Sequence, residues 1–264
     1  MVQPIDHVQR GAEINFTSGA LARYPQLTHL IMQVIGIWAH IDGNVTYAFS
    51  KLIRTDIETA TTLFDQFNGA RNREQALVAA AKTALPEWQW AAIQVVYKAT
   101  SRSRKMRNDF AHHILGCSKD ISDALLMTHP KEINAVNVAQ RQPTQYLPDG
   151  GRVVTPREID RSRVFVWREA DLESAVLMAK EADTLFGLLS MSIGFSRNEV
   201  ARRELFNMES FQKAVKSVLR DASAELKAQL APPGDDPPAP GIWKMWDETL
   251  KRDMARWEGR DDIW

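Results

Sequence analysis

The chain has 264 residues, with 33 lysines and arginines balanced by 33 aspartates and glutamates, 44% hydrophobic residues and 25% charged ones. That length is enough to bury a core without disulfides or structural metal. Zero net charge argues against a globally basic nucleic-acid binder while leaving room for a local basic patch. The one cysteine, Cys117, excludes an internal disulfide and any site built from several thiolates of one chain, and it fits a reducing cytoplasm.

The first seven residues show no basic segment followed by an apolar stretch, so no secretory signal is read. The most apolar run, residues 30–39, is interrupted by Gln33 and Gly36 and is too short to cross a bilayer. The expectation is a soluble, cytoplasmic protein with no membrane partner. Leu27, Leu30, Ile31, Val34, Ile35, Ile37 and Trp38 recur at helical spacing, and the pattern continues through Tyr47, Phe49, Leu52 and Ile53. Asp56 is a candidate N-cap for a helix carrying Ile57, Leu63, Phe64 and Phe67, stopped near Asn68 and Gly69. An alanine-rich helix is predicted over 71–85. Pro86 then suits the first turn of another helix, predicted to run from 87 to 115 with Gly116 as its stop.

The middle differs. Pro130, Pro143, Pro148 and Pro156 punctuate short apolar runs at 124–127, 153–154 and 164–167, which predict a small antiparallel insertion over about 121–168. Asp171 is a candidate N-cap for a long helix through Leu172, Val176, Leu177, Leu185, Leu188 and Leu189. More helix is expected over 198–230. Five prolines between 231 and 241 predict an extended linker. Ile242, Met245, Trp246, Leu250 and Trp257 then predict a tryptophan-rich C-terminal helix over 242–264 that docks on its own bundle or on a partner. The organisation read is one helical domain with a β insertion over 1–230, the linker, and the terminal helix.

Phosphate-binding and nucleophile-elbow glycine motifs are absent. Asp109 and His112 have the carboxylate-x-x-His spacing of di-iron bundles, but no second such pair exists. His29 and His40 lie in an apolar helix and read as core or interface residues. Asp42, Asp56 and Glu58 are acids able to support a site, and the sequence does not select among them. The informative stretch is 101–115. It sets Arg102, Arg104, Lys105 and Arg107 beside Asn108, His112 and His113. As chemistry, a histidine exchanges protons near neutral pH, and an arginine offers planar donors to phosphate oxygens. Asn108 and His112 are four apart, so Asn108 is placed to orient the ring. His113 is the neighbouring rival and lies on another face. Arg107 and His112 are five apart, about 140° around a helix, which aims them poorly at one phosphate.

Arg107-Asn108-Asp109-Phe110-Ala111-His112 resembles the R-x(4–6)-H motif of HEPN domains, in the fuller form with asparagine after the arginine. With 21 Arg, 9 Asn and 6 His in the chain, about 0.02 such matches arise by chance. Residues 20–115 share the family's helical pattern, and the helix from 171 completes the bundle. The resemblance implies a mainly α, HEPN-like bundle and a metal-independent endoribonuclease with no cofactor. It implies a 2′,3′-cyclic phosphate product and a site at a homodimer interface. Arg107 and His112 would be catalytic with Asn108 assisting, and Arg102, Arg104, Lys105 and His113 would bind RNA. A toxin or defence role with an antitoxin-type partner is the associated expectation. Many members of the family have lost catalysis, so the alternative is a non-catalytic module for oligomerisation or nucleic-acid binding.

Overall fold

The computed structural model describes residues 2–17, 19–141, 145–146, 152–153, 158–192 and 199–231. The chain opens with β1 (Gln3–Pro4), one helical turn α1 (Ile5–Val8), β2 (Asn15–Phe16) and a second turn α2 (Ala20–Arg23). The helical body follows: α3 (Pro25–Leu52), α4 (Ile57–Gln66), α5 (Ala70–Ala84), α6 (Glu87–Ala99) and α7 (Ser101–His112). Then come β3 (Ile114–Cys117), β4 (Ala124–Thr128), α8 (Pro130–Arg141), β5 (Gln145–Tyr146), β6 (Arg152–Val153) and β7 (Val164–Arg168). The chain returns to helix in α9 (Glu169–Ser192), α10 (Glu199–Asn207), α11 (Glu209–Val218) and α12 (Ala224–Gln229). The protein is mainly helical with a small antiparallel sheet. The predicted linker from 232 onward and the helix over 242–264 lie outside the described residues.

Pro25 occupies the first turn of α3, where its missing N–H costs nothing. Leu27, Ile31, Val34, Trp38, Ile41, Val45 and Phe49 then fall at steps of three and four and form one buried face. That face packs on α9, where Trp38 meets Phe186 edge-on at 6.3 Å. His29 and His40 sit on the opposite, exposed side of α3, so the reading of them as core residues is corrected. His29 is within 2.8 Å of Gln33, and His40 is 3.0 Å from Asp183 on α9. Asp56 caps α4, its carboxylate accepting from the Thr59 N–H at 2.8 Å. Glu58, in the first turn of α4, is exposed.

The single helix predicted over 87–115 is two helices. The Thr100 hydroxyl donates back to the Val96 carbonyl at 2.9 Å, a bond that bends helices, and α7 starts there. Helix α7 stops at His112, because His113 is extended (φ −81°, ψ 152°) and leads into β3. Gly116 is therefore a strand residue and not the helix stop. A Cβ there would lie 2.7 Å from Phe16 Cδ1 and 2.8 Å from the Asn15 carbonyl oxygen. Only glycine lets β2 pair so closely with β3.

The main sheet has five strands in the order β1-β7-β4-β3-β2, all antiparallel. It is larger than the predicted insertion, since its edges come from residues 3–4 and 15–16. Helix α8 was not anticipated. Strand β4 is buried throughout, with Leu125 and Met127 toward the helices and Ala124 and Leu126 toward a smaller cluster around Ile5, Val164 and Val166. Leu125 pairs with Trp167, and Trp167 meets Phe110 of α7 edge-on at 4.9 Å.

Helix α7 is thus held at two points. Near its start, Trp38 Nε1 donates to the buried Ser103 hydroxyl at 3.0 Å. Near its end, Phe110 is clamped by Trp167. Truncating Phe110 to alanine would cost about 3–5 kcal/mol and release that end. These contacts fix which side of α7 faces α3 and which faces water.

Candidate active site

With Ser103 and Phe110 turned inward, Arg107 projects sideways toward α3. One guanidinium nitrogen donates to Asp42 Oδ2 at 3.0 Å, and the other terminal nitrogen donates to Asn108 Oδ1 at 3.1 Å. Its Nε is buried and has no hydrogen-bond partner among the described residues. Arg104, one turn earlier, donates to Glu74 of α5 at 3.0 Å, and its guanidinium lies 5.2 Å from the Tyr97 ring centre. Arg73 of α5 donates to Asp65 of α4 at 2.9 Å and lies 5.5 Å from the Phe64 ring. Helices α3, α4, α5 and α7 therefore meet in one charged cluster.

Asp42 is the acid toward which the cluster's field converges. Burial pushes its carboxyl above the ordinary aspartate range, and Arg107, Arg73 and Arg104 oppose that rise. Burial likewise pushes the Tyr97 hydroxyl far up, so it stays neutral. Each of the three arginines has a carboxylate partner, so an incoming phosphate has to compete with Asp42 for Arg107.

The outer side of α7 is different. Arg102, Lys105 and His112 share it and are exposed. Among the described residues, Arg102 and Lys105 have no carboxylate partner and the His112 side chain has no hydrogen bond. The expected contact from Asn108 to His112 is not made; Asn108 supports Arg107 instead. Arg107 and His112 remain about 140° apart on a regular helix. The structure therefore joins Arg107 with Asn108 and Arg104 in the charged cluster. It leaves His112 with Arg102 and Lys105 on the open face.

His113 is half-buried. Its Nδ1 donates to the Asp109 carbonyl at 2.7 Å, which leaves Nε2 as the unprotonated nitrogen of the neutral ring. It meets His129 edge-on, with ring centres 5.6 Å apart. His129 Nδ1 accepts from the Lys131 N–H at 3.1 Å, so its neutral ring carries the proton on Nε2.

Sequence reasoning grouped Asp42 with Asp56 and Glu58 and did not reach Arg73, Glu74 or His129. No local motif marks these residues. Asp42 does fall on the flank of α3 between buried Trp38, Ile41 and Val45, which is the one available signal. Cys117 is buried, and Arg23 donates to its sulfur at 3.7 Å. Among the described residues no group of three or more His, Cys, Asp or Glu is arranged to hold a metal ion. No helix among them is long and apolar enough to cross a membrane. In comparisons with known proteins, no family model, curated protein or solved structure matches the chain.

Proposed function

We propose that the helical body is a HEPN-like bundle and that the protein is a metal-independent endoribonuclease acting as a homodimer. The observation that carries this reading is on α7. An anchored Arg107 and an exposed, unbonded His112 share one helix, beside Arg102 and Lys105, which have no acid partner among the described residues. Arg107 binds the scissile phosphate and the extra charge that develops on it. His112 exchanges the proton of the 2′-hydroxyl or of the departing 5′-oxygen. Asn108 and Asp42 hold the guanidinium. Arg102, Lys105, Arg104 and His113 border the path of the RNA. Attack by the internal hydroxyl leaves a 2′,3′-cyclic phosphate. A toxin or defence role, restrained by an antitoxin-type protein, accords with such an activity.

The divergence of Arg107 and His112 is the reason for a dimer. A two-fold axis near the outer face of α7 would bring one chain's His112 to the other's Arg107, and exposed Ala111 offers a low contour there. The test is cleavage of total RNA by the pure protein in EDTA, with the product ends identified. Mixing inactive Arg107→Ala and His112→Ala chains should restore activity, because the mixed dimer contains one intact site. No cleavage by wild type would overturn the enzymatic reading. One observation favours the runner-up, a non-catalytic binding or oligomerisation module: Arg73, Arg104 and Arg107 are each matched by a carboxylate.

A further inference from the structure

Away from α7, the end of α3, α5, the start of α6 and the end of α9 border a partly open cavity of about 990 Å³. That is at the upper end of the roughly 300–1,000 Å³ of small-molecule sites. Its floor is packed core, Val45, Leu77, Ile93, Phe186 and Leu189 beside the buried amide side chain of Gln89, and its open wall is apolar, formed by Leu52, Leu85 and Pro86. The hydroxyls that line it are turned to the protein. Ser50 donates to the Tyr47 carbonyl at 2.7 Å, Ser190 to the Phe186 carbonyl at 2.9 Å, and Thr55 to Asp56 at 3.4 Å. Such walls suit an aliphatic chain better than a sugar or a base.

The mouth carries two cations. Lys51 and Arg54 line the cavity and are exposed, and among the described residues no aspartate or glutamate lines it, although Asp56 stands beside Thr55, which does. Neither has a carboxylate partner among the described residues. Lys51 is steadied by the Tyr47 ring, whose centre is 4.8 Å from its Nζ. Arg54 has φ +55°, the only described non-glycine residue in the left-handed region. A long side chain there is strained where glycine would be relaxed.

We infer that this cavity binds one long acyl chain bearing an anionic head group. The tail lies along Leu52, Leu85 and Pro86, over the buried floor, and the head sits between Lys51 and Arg54. This site is independent of the nuclease reading, since it shares no residue with the α7 cluster.

Isothermal titration of the full chain with sodium dodecanoate below its micellar concentration tests the inference. Saturable one-to-one binding is expected, with dodecanol at least about tenfold weaker because it lacks the charge. Lys51→Ala and Arg54→Gly should each weaken dodecanoate by several-fold. Arg54→Gly should also raise the melting temperature by a few degrees, since glycine adopts φ +55° freely. Lost affinity in a more stable variant cannot come from unfolding. Ala84→Trp, at the mouth, should block both ligands. The inference is overturned if dodecanoate fails to bind at millimolar concentration, if dodecanol binds equally well, or if both charge variants bind as wild type does.

Discussion

Replacing Asp42 with asparagine isolates the ion pair that holds Arg107. The two side chains have nearly the same shape, so the packing of α3 is kept and the charge is removed. The pair is 3.0 Å long, and its side chains retain 29% and 49% exposure. Pairs this open to water contribute about 0–1 kcal/mol. Burial pushes the Asp42 carboxyl up despite the three arginines, so ionised Asp42 is held at a net cost. An acid with a higher pKa in the folded state binds more protons when folded, and its contribution weakens as pH rises from the ordinary aspartate value through the raised one. Asp42→Asn should therefore melt within a few degrees of wild type at neutral pH and lack the gain in stability that Asp42 gives wild type as pH falls from the raised value to the ordinary one. Function should change more. RNA affinity should rise about three- to tenfold at low salt, because a carboxylate competing for Arg107 is gone. Turnover should fall about 10–100-fold, because the guanidinium is no longer held in one position. Filter binding and single-turnover cleavage of one labelled RNA read both quantities. A variant that binds and cleaves as wild type does refutes the idea that Asp42 aims Arg107. A large drop in melting temperature would show that the pair serves the fold.

His112→Ala should slow cleavage about 10²–10⁴-fold with RNA binding nearly kept, whereas His113→Ala should lose far less in the same kinetics. Arg107→Lys should not restore full activity, because an ammonium lacks the two-pronged donor pattern. Arg102→Ala and Lys105→Ala should weaken RNA binding and reduce its salt dependence by about one unit of slope each, leaving the chemical step unchanged. Gly116→Ala should cost about 1–3 kcal/mol in urea unfolding and strip amide protection from Asn15 and Phe16, since a Cβ would collide with both. Asp56→Ala should lower the melting temperature near neutral pH. The cap holds the Asp56 carboxyl below the ordinary range, so its stabilisation is present above the unfolded value and lost as pH falls through the folded one. Thermal melts of variant and wild type should therefore converge in acid.

Much of the helical architecture could be read from local signals. The face of α3, the Asp56 cap, the alanine-rich α5 and Pro86 before α6 all depend on residues within a turn or two of each other. Failures occurred where distant residues decide. The break at Thr100 is the exception, since it rests on the local bond from the Thr100 hydroxyl to the Val96 carbonyl. Gly116 looks like a helix stop until Phe16 is placed against it, and two-residue strands such as β1 and β2 carry no periodicity. At the candidate site, the basic motif on α7 was visible because its members are contiguous. Its geometry was not, because Asp42 rather than His112 determines where Arg107 and Asn108 point. The apolar surroundings of His29 and His40 misled, since both occupy the solvent side of a half-buried helix.

The clamp between Phe110 and Trp167 also bears on the order in which the molecule assembles. Helix α7 leaves the ribosome well before Trp167 does, and α9, which covers Trp38 and Tyr97, follows later still. Synthesis proceeds at about 5–20 residues per second. For several seconds a nascent chain therefore displays the complete Arg-Asn-x-x-x-His segment on a helix whose C-terminal end lacks its clamp, with only α3 available to hold it. Strand β1 at the N-terminal end waits longer still for β7. The C-terminal end of α7 is fixed only after the polypeptide has passed residue 168 and the sheet has closed.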